Sequence, residues 1–152
     1  MPDLAVTEAK IVVALDFGLK RIGIASGDTL TRSAHPRTTI SNGPDGPDWK
    51  AIERVLSDTR PARIAVGEPY NADGSASPLT ETARRFAADL RQRSGLPVDL
   101  VDERHSSQDA EERLRGMRAS GERRRRVTRA DVDAAAAAVI LERWFELQTK
   151  KT

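Results

Sequence analysis

The 152-residue chain reads as an α/β protein with a five-stranded mixed sheet, its first three strands antiparallel, flanked by helices. Three observations predict this. Ile11-Val-Val-Ala-Leu15 and Arg21-Ile-Gly-Ile-Ala25 are short runs rich in branched apolar residues on either side of a turn, the pattern of a hairpin. Further along, Arg63–Gly67 and Pro97–Val101 are apolar runs of strand length, and segments of helical periodicity separate them. Hairpin-linked strands followed by alternating helix and strand give a mixed sheet that helices cover.

Each element follows from local chemistry. The first strand ends at Asp16, Phe17-Gly18-Leu19-Lys20 supplies the turn, and Gly18 and Gly23 predict a tight turn or a close backbone approach. A third strand lies within Ser33 to Ile40, where Pro36 confines it to an edge. Asn42 to Asp48 is a Gly/Pro/Asp loop. A helix over Trp49 to Asp58 puts Ile52, Val55 and Leu56 on one face. Glu68-Pro69 closes the fourth strand, and Asn71-Ala-Asp73-Gly74 turns. Ser77-Pro78 then caps a helix reaching Arg93. The fifth strand runs directly into Asp102-Glu103-Arg104. Ser106 with Asp109, and Thr128 with Asp131, are capping-box spacings that open two further helices, the last over Ala130 to Leu147.

Composition narrows the class. A hydrophobic content of 38% supports one packed domain over residues 1–152, with 1–9 as a flexible N-terminus. The absence of cysteine excludes disulfides and thiolate metal sites. The longest apolar run, Ala134 to Leu141, is far short of the roughly 18 residues of a membrane span. Met1 to Lys10 carries Asp3 and Glu8 and no apolar stretch, so no signal peptide is expected and the expected location is cytoplasmic. No Gly-x-x-x-x-Gly-Lys-[Ser/Thr] phosphate loop is present, which counts against kinase-type chemistry.

The net charge of +2 is split unevenly. Residues 113–129 hold eight arginines against one acid, Glu122, leaving an acidic remainder. An acidic body with one basic stretch points to a polyanionic partner. Arg123, Arg124, Arg125 and Arg126 stand just before the last helix, and their forked donors match phosphate oxygens. Such a run reads phosphate backbone and not bases. With aromatic residues at 4%, extended base-stacking platforms are not expected, and Trp49, Trp144 and Phe145 read as packing residues. His35 and His105 are too isolated to form a histidine metal site.

A phosphate partner raises the question of which acids carry chemistry. Two-metal phosphodiester cleavage needs carboxylates that converge on divalent ions, Mg²⁺ or Mn²⁺. Asp16 follows five apolar residues, where an ionised carboxylate is costly unless paired or metal-bound, or else it bonds the turn at Gly18. Glu103 follows the fifth strand, and locally a surface pair with Arg104 explains it as well. Asp131 is accounted for by helix capping. Asp133 gains less from capping, because dipole stabilisation fades beyond the first turn, which leaves a solvated face or a metal ligand. Asp73-Gly74 is an ordinary turn pair. Glu68 remains open.

These segments resemble the YqgF/RuvX family. The resemblance runs from Ile11 to about Glu146 and rests on four pieces in order. They are Asp16-Phe-Gly-Leu-Lys-Arg21-Ile-Gly23, Val66-Gly67-Glu68-Pro69 with Asn71-Ala-Asp73-Gly74, Asp102-Glu103-Arg104-His105-Ser106-Ser107, and Val132-Asp133-Ala134-Ala135-Ala136. It implies an RNase H-like fold and a metal-dependent nuclease that processes the 5′ end of precursor 16S rRNA. Relatives of that family include Holliday-junction resolvases, and branched DNA and catalytically silent RNA binding stand as alternatives. The resemblance further implies that Asp16, Glu103 and Asp133 bind Mg²⁺ or Mn²⁺, with Arg21 and Arg104 beside the acids on the nucleic acid. Two departures stand out. The family's usual Gly-Leu-Pro is Gly67-Glu68-Pro69, a carboxylate that either adds a metal ligand or faces solvent. The small polar residue that often follows the last motif acid is Ala134.

Overall fold

The structure is a computed structural model and describes residues 9–71, 73–102 and 128–150. Its elements are β1 (Ile11–Phe17), β2 (Arg21–Asp28), β3 (Ala34–Gly43), β4 (Gly46–Pro47), α1 (Trp49–Thr59), β5 (Arg63–Glu68), α2 (Pro78–Ser94), β6 (Val98–Asp102) and α3 (Arg129–Lys150). The strands form one sheet in the order β4-β3-β2-β1-β5-β6. β1, β2 and β3 are successively antiparallel, whereas β5 runs parallel to β1 and β6 parallel to β5.

The mixed sheet, its antiparallel opening and the flanking helices are as the sequence predicts. The strand count is corrected from five to six. Within the segment read as a loop, Gly46 at φ +97° reverses the chain, and Gly46–Pro47 pairs with Asn42 and Gly43 of β3. Pro36 lies beyond that short pairing and faces only Ala25 of β2, so it removes no ladder donor from a central strand. The register shifts there, between Ile24 and Ala25. The helix expected after Ser106 lies outside the described residues, as do 1–8 of the expected flexible N-terminus.

Period-two alternation divides the core between the two faces of the sheet. Val13, Leu15, Phe17, Ile22, Ile24, Ile64 and Val66 point to one face and pack with Ile52 of α1 and Ala83, Phe86 and Leu90 of α2. Trp49 packs beside Phe86 with ring centroids 5.5 Å apart, as its packing role requires. Val12, Ala14, Ala65 and Val101 point to the other face and meet Ile140, Leu141, Trp144 and Phe145 of α3. Side chains as completely buried as Leu15 and Ile140 each stabilise the fold by roughly 1.5–3 kcal/mol. The α2 cap is as read: Ser77 Oγ accepts from the Thr80 amide, Pro78 follows, and Gly95 ends the helix in the left-handed region.

The parallel arrangement brings the carboxyl ends of β1, β5 and β6 to one end of the sheet. Asp16, Glu68 and Asp102 stand at that end. The α3 face and this end together define the site.

Candidate functional site

Asp16 is the last even-numbered residue of β1, so its side chain shares the α3 face with Val12 and Ala14. Its direct cross-strand partner is Gly23 of β2. Directly opposed positions place their Cβ atoms roughly 5 Å apart on the same face. Gly23 has no Cβ, and α3 occupies the space: a Cβ built there would fall 1.9 Å from the Asp133 carbonyl oxygen and 2.9 Å from the Ala134 amide nitrogen. The close approach predicted for Gly23 is therefore made by the helix that carries Asp133. Asp16 and the backbone of Asp133 thus both neighbour Gly23 on one face of the sheet at one end, although 116 residues intervene between them.

Three contacts fix the start of α3 in that place. Asp131 caps the helix: its Oδ2 accepts from the Thr128 amide (3.0 Å) and hydroxyl (2.9 Å), and its own amide donates to Thr128 Oγ1 at 3.2 Å. Thr39 of β3 donates its hydroxyl to the Ala130 carbonyl at 2.9 Å. Arg21 of β2 donates from Nε to Asp133 Oδ2 at 2.6 Å, with 38% of the Arg21 side chain and 20% of the Asp133 side chain exposed. Asp131 is thus occupied by capping, as its spacing indicates.

Arg21 in turn depends on the β1–β2 turn. The Gly18 amide donates to the Arg21 carbonyl at 2.9 Å, the tight turn expected at this glycine. Buried Asn42 clamps the same turn from β3. Its side-chain amide donates to the Gly18 carbonyl at 2.6 Å, and its backbone amide donates to the Lys20 carbonyl at 2.9 Å. The sequence reading missed both Asn42 and Thr39. An asparagine ahead of glycine looks like a turn residue, and nothing local marks its reach across to Gly18.

Glu68 resolves differently from either expectation. Its side chain points to the α1/α2 face and takes the Nε–H of Arg84 on α2, which also reaches the Tyr70 hydroxyl at 3.1 Å. The Glu68 hydrogen bond holds the Arg84 guanidinium above its ordinary pKa. Glu68 is therefore on the opposite face from Asp16 and is neither a ligand beside it nor a carboxylate turned loose into solvent. Asp73 closes its turn through the Ser75 hydroxyl (2.6 Å) and amide (2.9 Å), which hold its carboxyl below the usual aspartate pKa.

At the β6 end, Arg143 of α3 donates to the Asp102 carbonyl, tying the last described residue of that strand to the helix. Glu103, Arg104, His105 and Arg123 to Arg126 lie outside the described residues. Among the described residues, no three histidines or carboxylates gather as a metal-binding group. The described part of the site is the pair Asp16 and Asp133 with Arg21. Trp144 and Phe145 are buried against the sheet, and Trp144 Nε1 donates to Asp99 Oδ2 at 2.8 Å, so both are packing residues as read. His35 is exposed on β3, away from any such group among the described residues. No helix of the described residues is long and apolar enough to cross a membrane.

The chain is similar to proteins of known family along its whole length. It is 42% identical over 153 residues to a Xanthomonas campestris pv. campestris (strain B100) protein provisionally named pre-16S rRNA nuclease, covering 100% of this chain and 98% of the relative. A protein of the same provisional name from Edwardsiella ictaluri (strain 93-146) is 43% identical over 139 residues, covering 91% and 96% of the two chains. Among solved structures, the fold is similar to Thermus thermophilus RuvC in complex with a Holliday junction substrate, with a TM-score of 0.55 at 19% identity over 94% of this chain and 98% of that one. It is also similar to the yeast mitochondrial Holliday junction resolvase, with a TM-score of 0.51 at 12% identity over 91% and 79% of the two chains. The architecture is thus of the RNase H-like kind expected. The family model described as RuvX, Holliday junction resolvase, matches residues 10–147, and the chain belongs to the RuvX family.

Proposed function

We propose that this chain is a divalent-metal-dependent nuclease that hydrolyses phosphodiester bonds in the 5′ region of precursor 16S rRNA. Asp16, Glu103 and Asp133 form its acidic set, in a single domain spanning residues 1–152. The observation that carries the reading is that Asp16 and the Asp133 backbone both neighbour Gly23 on one face of the sheet. The relatives' shared name supports the substrate.

The residues fit a hard cation. Mg²⁺ is held by one or two carboxylates together with substrate phosphate, and both described donors are carboxylates. A cationic group, the Arg21 guanidinium, already sits on one of them at 2.6 Å, so the place accepts positive charge. Asp16 and Asp133 are the residues that hold Mg²⁺ or Mn²⁺, and Glu103, the residue after β6, completes the set. When bound, such an ion supplies charge against the phosphoryl oxygens and acidifies water at neutral pH.

The chain's own groups orient the substrate. Arg21 pairs with Asp133, Arg104 follows Glu103 in the sequence, and Arg123 to Arg126 precede α3. Their guanidinium forks engage backbone phosphates without selecting bases. A reaction on rRNA places the enzyme in the cytoplasm.

The name of the family model favours a second substrate, a four-way DNA junction. Purified protein with Mn²⁺ is to be incubated with a precursor 16S rRNA 5′ fragment and, separately, with a four-way junction. Cleavage of the RNA fragment supports the proposal, and cleavage of the junction alone replaces the substrate. Absence of cleavage on both, with RNA binding intact, favours a silent RNA-binding factor and contradicts the enzyme.

A further inference from the structure

We infer that Arg21 is the resident counter-ion of Asp133, a guanidinium that competes with the divalent ion for Oδ2 and passes to a substrate phosphate when that ion binds. This rests on the proposed metal-binding role of Asp133 and assigns a second task to the arginine beside it.

Three features support an exchange over a fixed brace. Arg21 engages Asp133 through Nε at 2.6 Å, which uses one of the five donors of a guanidinium and one oxygen of the carboxylate. The arginine side chain is 38% exposed, and exposed ion pairs favour their closed form by no more than about fivefold. The start of α3 also has a second tie to the sheet, the Thr39–Ala130 bond, and Thr128–Asp131 capping closes the helix end without Arg21.

The exchange has a purpose in physical terms. Before the ion arrives, the guanidinium offsets the negative charge of the Asp133 carboxylate. Once displaced, it stands beside the place where phosphate charge must be met, and its planar fork matches phosphate oxygens. Arg21 is in this respect a positioning residue for the ligand and a binding residue for the substrate, at different stages.

Calorimetric titration of the full chain with Mn²⁺, without nucleic acid, tests the exchange. Arg21→Gln removes the competitor and is expected to bind Mn²⁺ up to about fivefold more tightly than the wild type. Arg84→Gln, which breaks a pair on the other sheet face, is expected to match the wild type. Equal or weaker binding by Arg21→Gln, or equal tightening by Arg84→Gln, overturns the inference. A second reading needs no variant: in the wild type, the Arg21 Nε–H is expected to be protected from solvent exchange and to lose that protection as Mg²⁺ is added. Protection that persists at Mg²⁺ saturation overturns the exchange alone. Failure of the wild type to bind either ion overturns both the exchange and the metal-dependent reading beneath it.

Discussion

Asp133 meets Arg21 on one carboxylate oxygen and lies on the sheet face of Asp16, so its charge matters more than its shape. Asp133→Asn keeps the shape. It is expected to lower Mn²⁺-dependent RNA cleavage by more than about 100-fold, beyond the range of residues that only orient a ligand. Its stability should fall by no more than about 1 kcal/mol, the scale of an exposed ion pair. Cleavage kinetics and a denaturant melt on the same preparation separate the two effects. Asn42 acts further back. Asn42→Ala leaves the half-buried Gly18 carbonyl without its 2.6 Å donor, which should cost about 1 kcal/mol and loosen the turn that presents Arg21. Of these residues, the acids are legible from their positions after an apolar strand and beyond a helix cap. Asn42 is not, because its role exists only once β3 lies beside the β1–β2 turn. Glu68 was undecidable for a related reason: strand parity sets its face, and parity needs the register of β5 against β1.

At the level of elements, α3 and β2 are in backbone contact at Gly23, and this contact brings the start of α3 onto the sheet face of Asp16. Gly23→Ala forces a methyl to within 1.9 Å of the Asp133 carbonyl. Backbone cannot yield as a side-chain tip can, so the helix start must lift from the sheet. The expected cost is about 3 kcal/mol, at the upper end of overpacking, with cleavage lost even in the folded fraction. A melt with a cleavage assay below the transition checks both. Thr128→Ala removes the α3 cap and should cost about 1 kcal/mol while cleavage persists. The helices were legible because their caps are local, at Ser77-Pro78 and at Thr128 with Asp131. The strands were legible from apolar runs that end in turns. The Gly46–Pro47 strand was not, since two residues carry no periodicity and their pairing comes from the turn at Gly46.

Across the whole molecule, charge is divided between an acidic body and the arginine-rich stretch of residues 113–129. If Arg123 to Arg126 contact phosphates, replacing all four with alanine should weaken RNA binding and flatten the plot of log affinity against log salt. The slope should change by about 3 for single-stranded RNA. An unchanged slope removes that stretch from the interface. The sheet itself needs no such stretch to bring Asp16 and the Asp133 backbone onto one face, since β1, β2 and α3 do so by register and by the missing Cβ of Gly23. The most direct test of this arrangement is anomalous diffraction from crystals of the protein soaked in Mn²⁺. A manganese peak bound by both the Asp16 and Asp133 carboxylates is the predicted result. A peak elsewhere, with these two carboxylates holding no ion at saturating Mn²⁺, would contradict it.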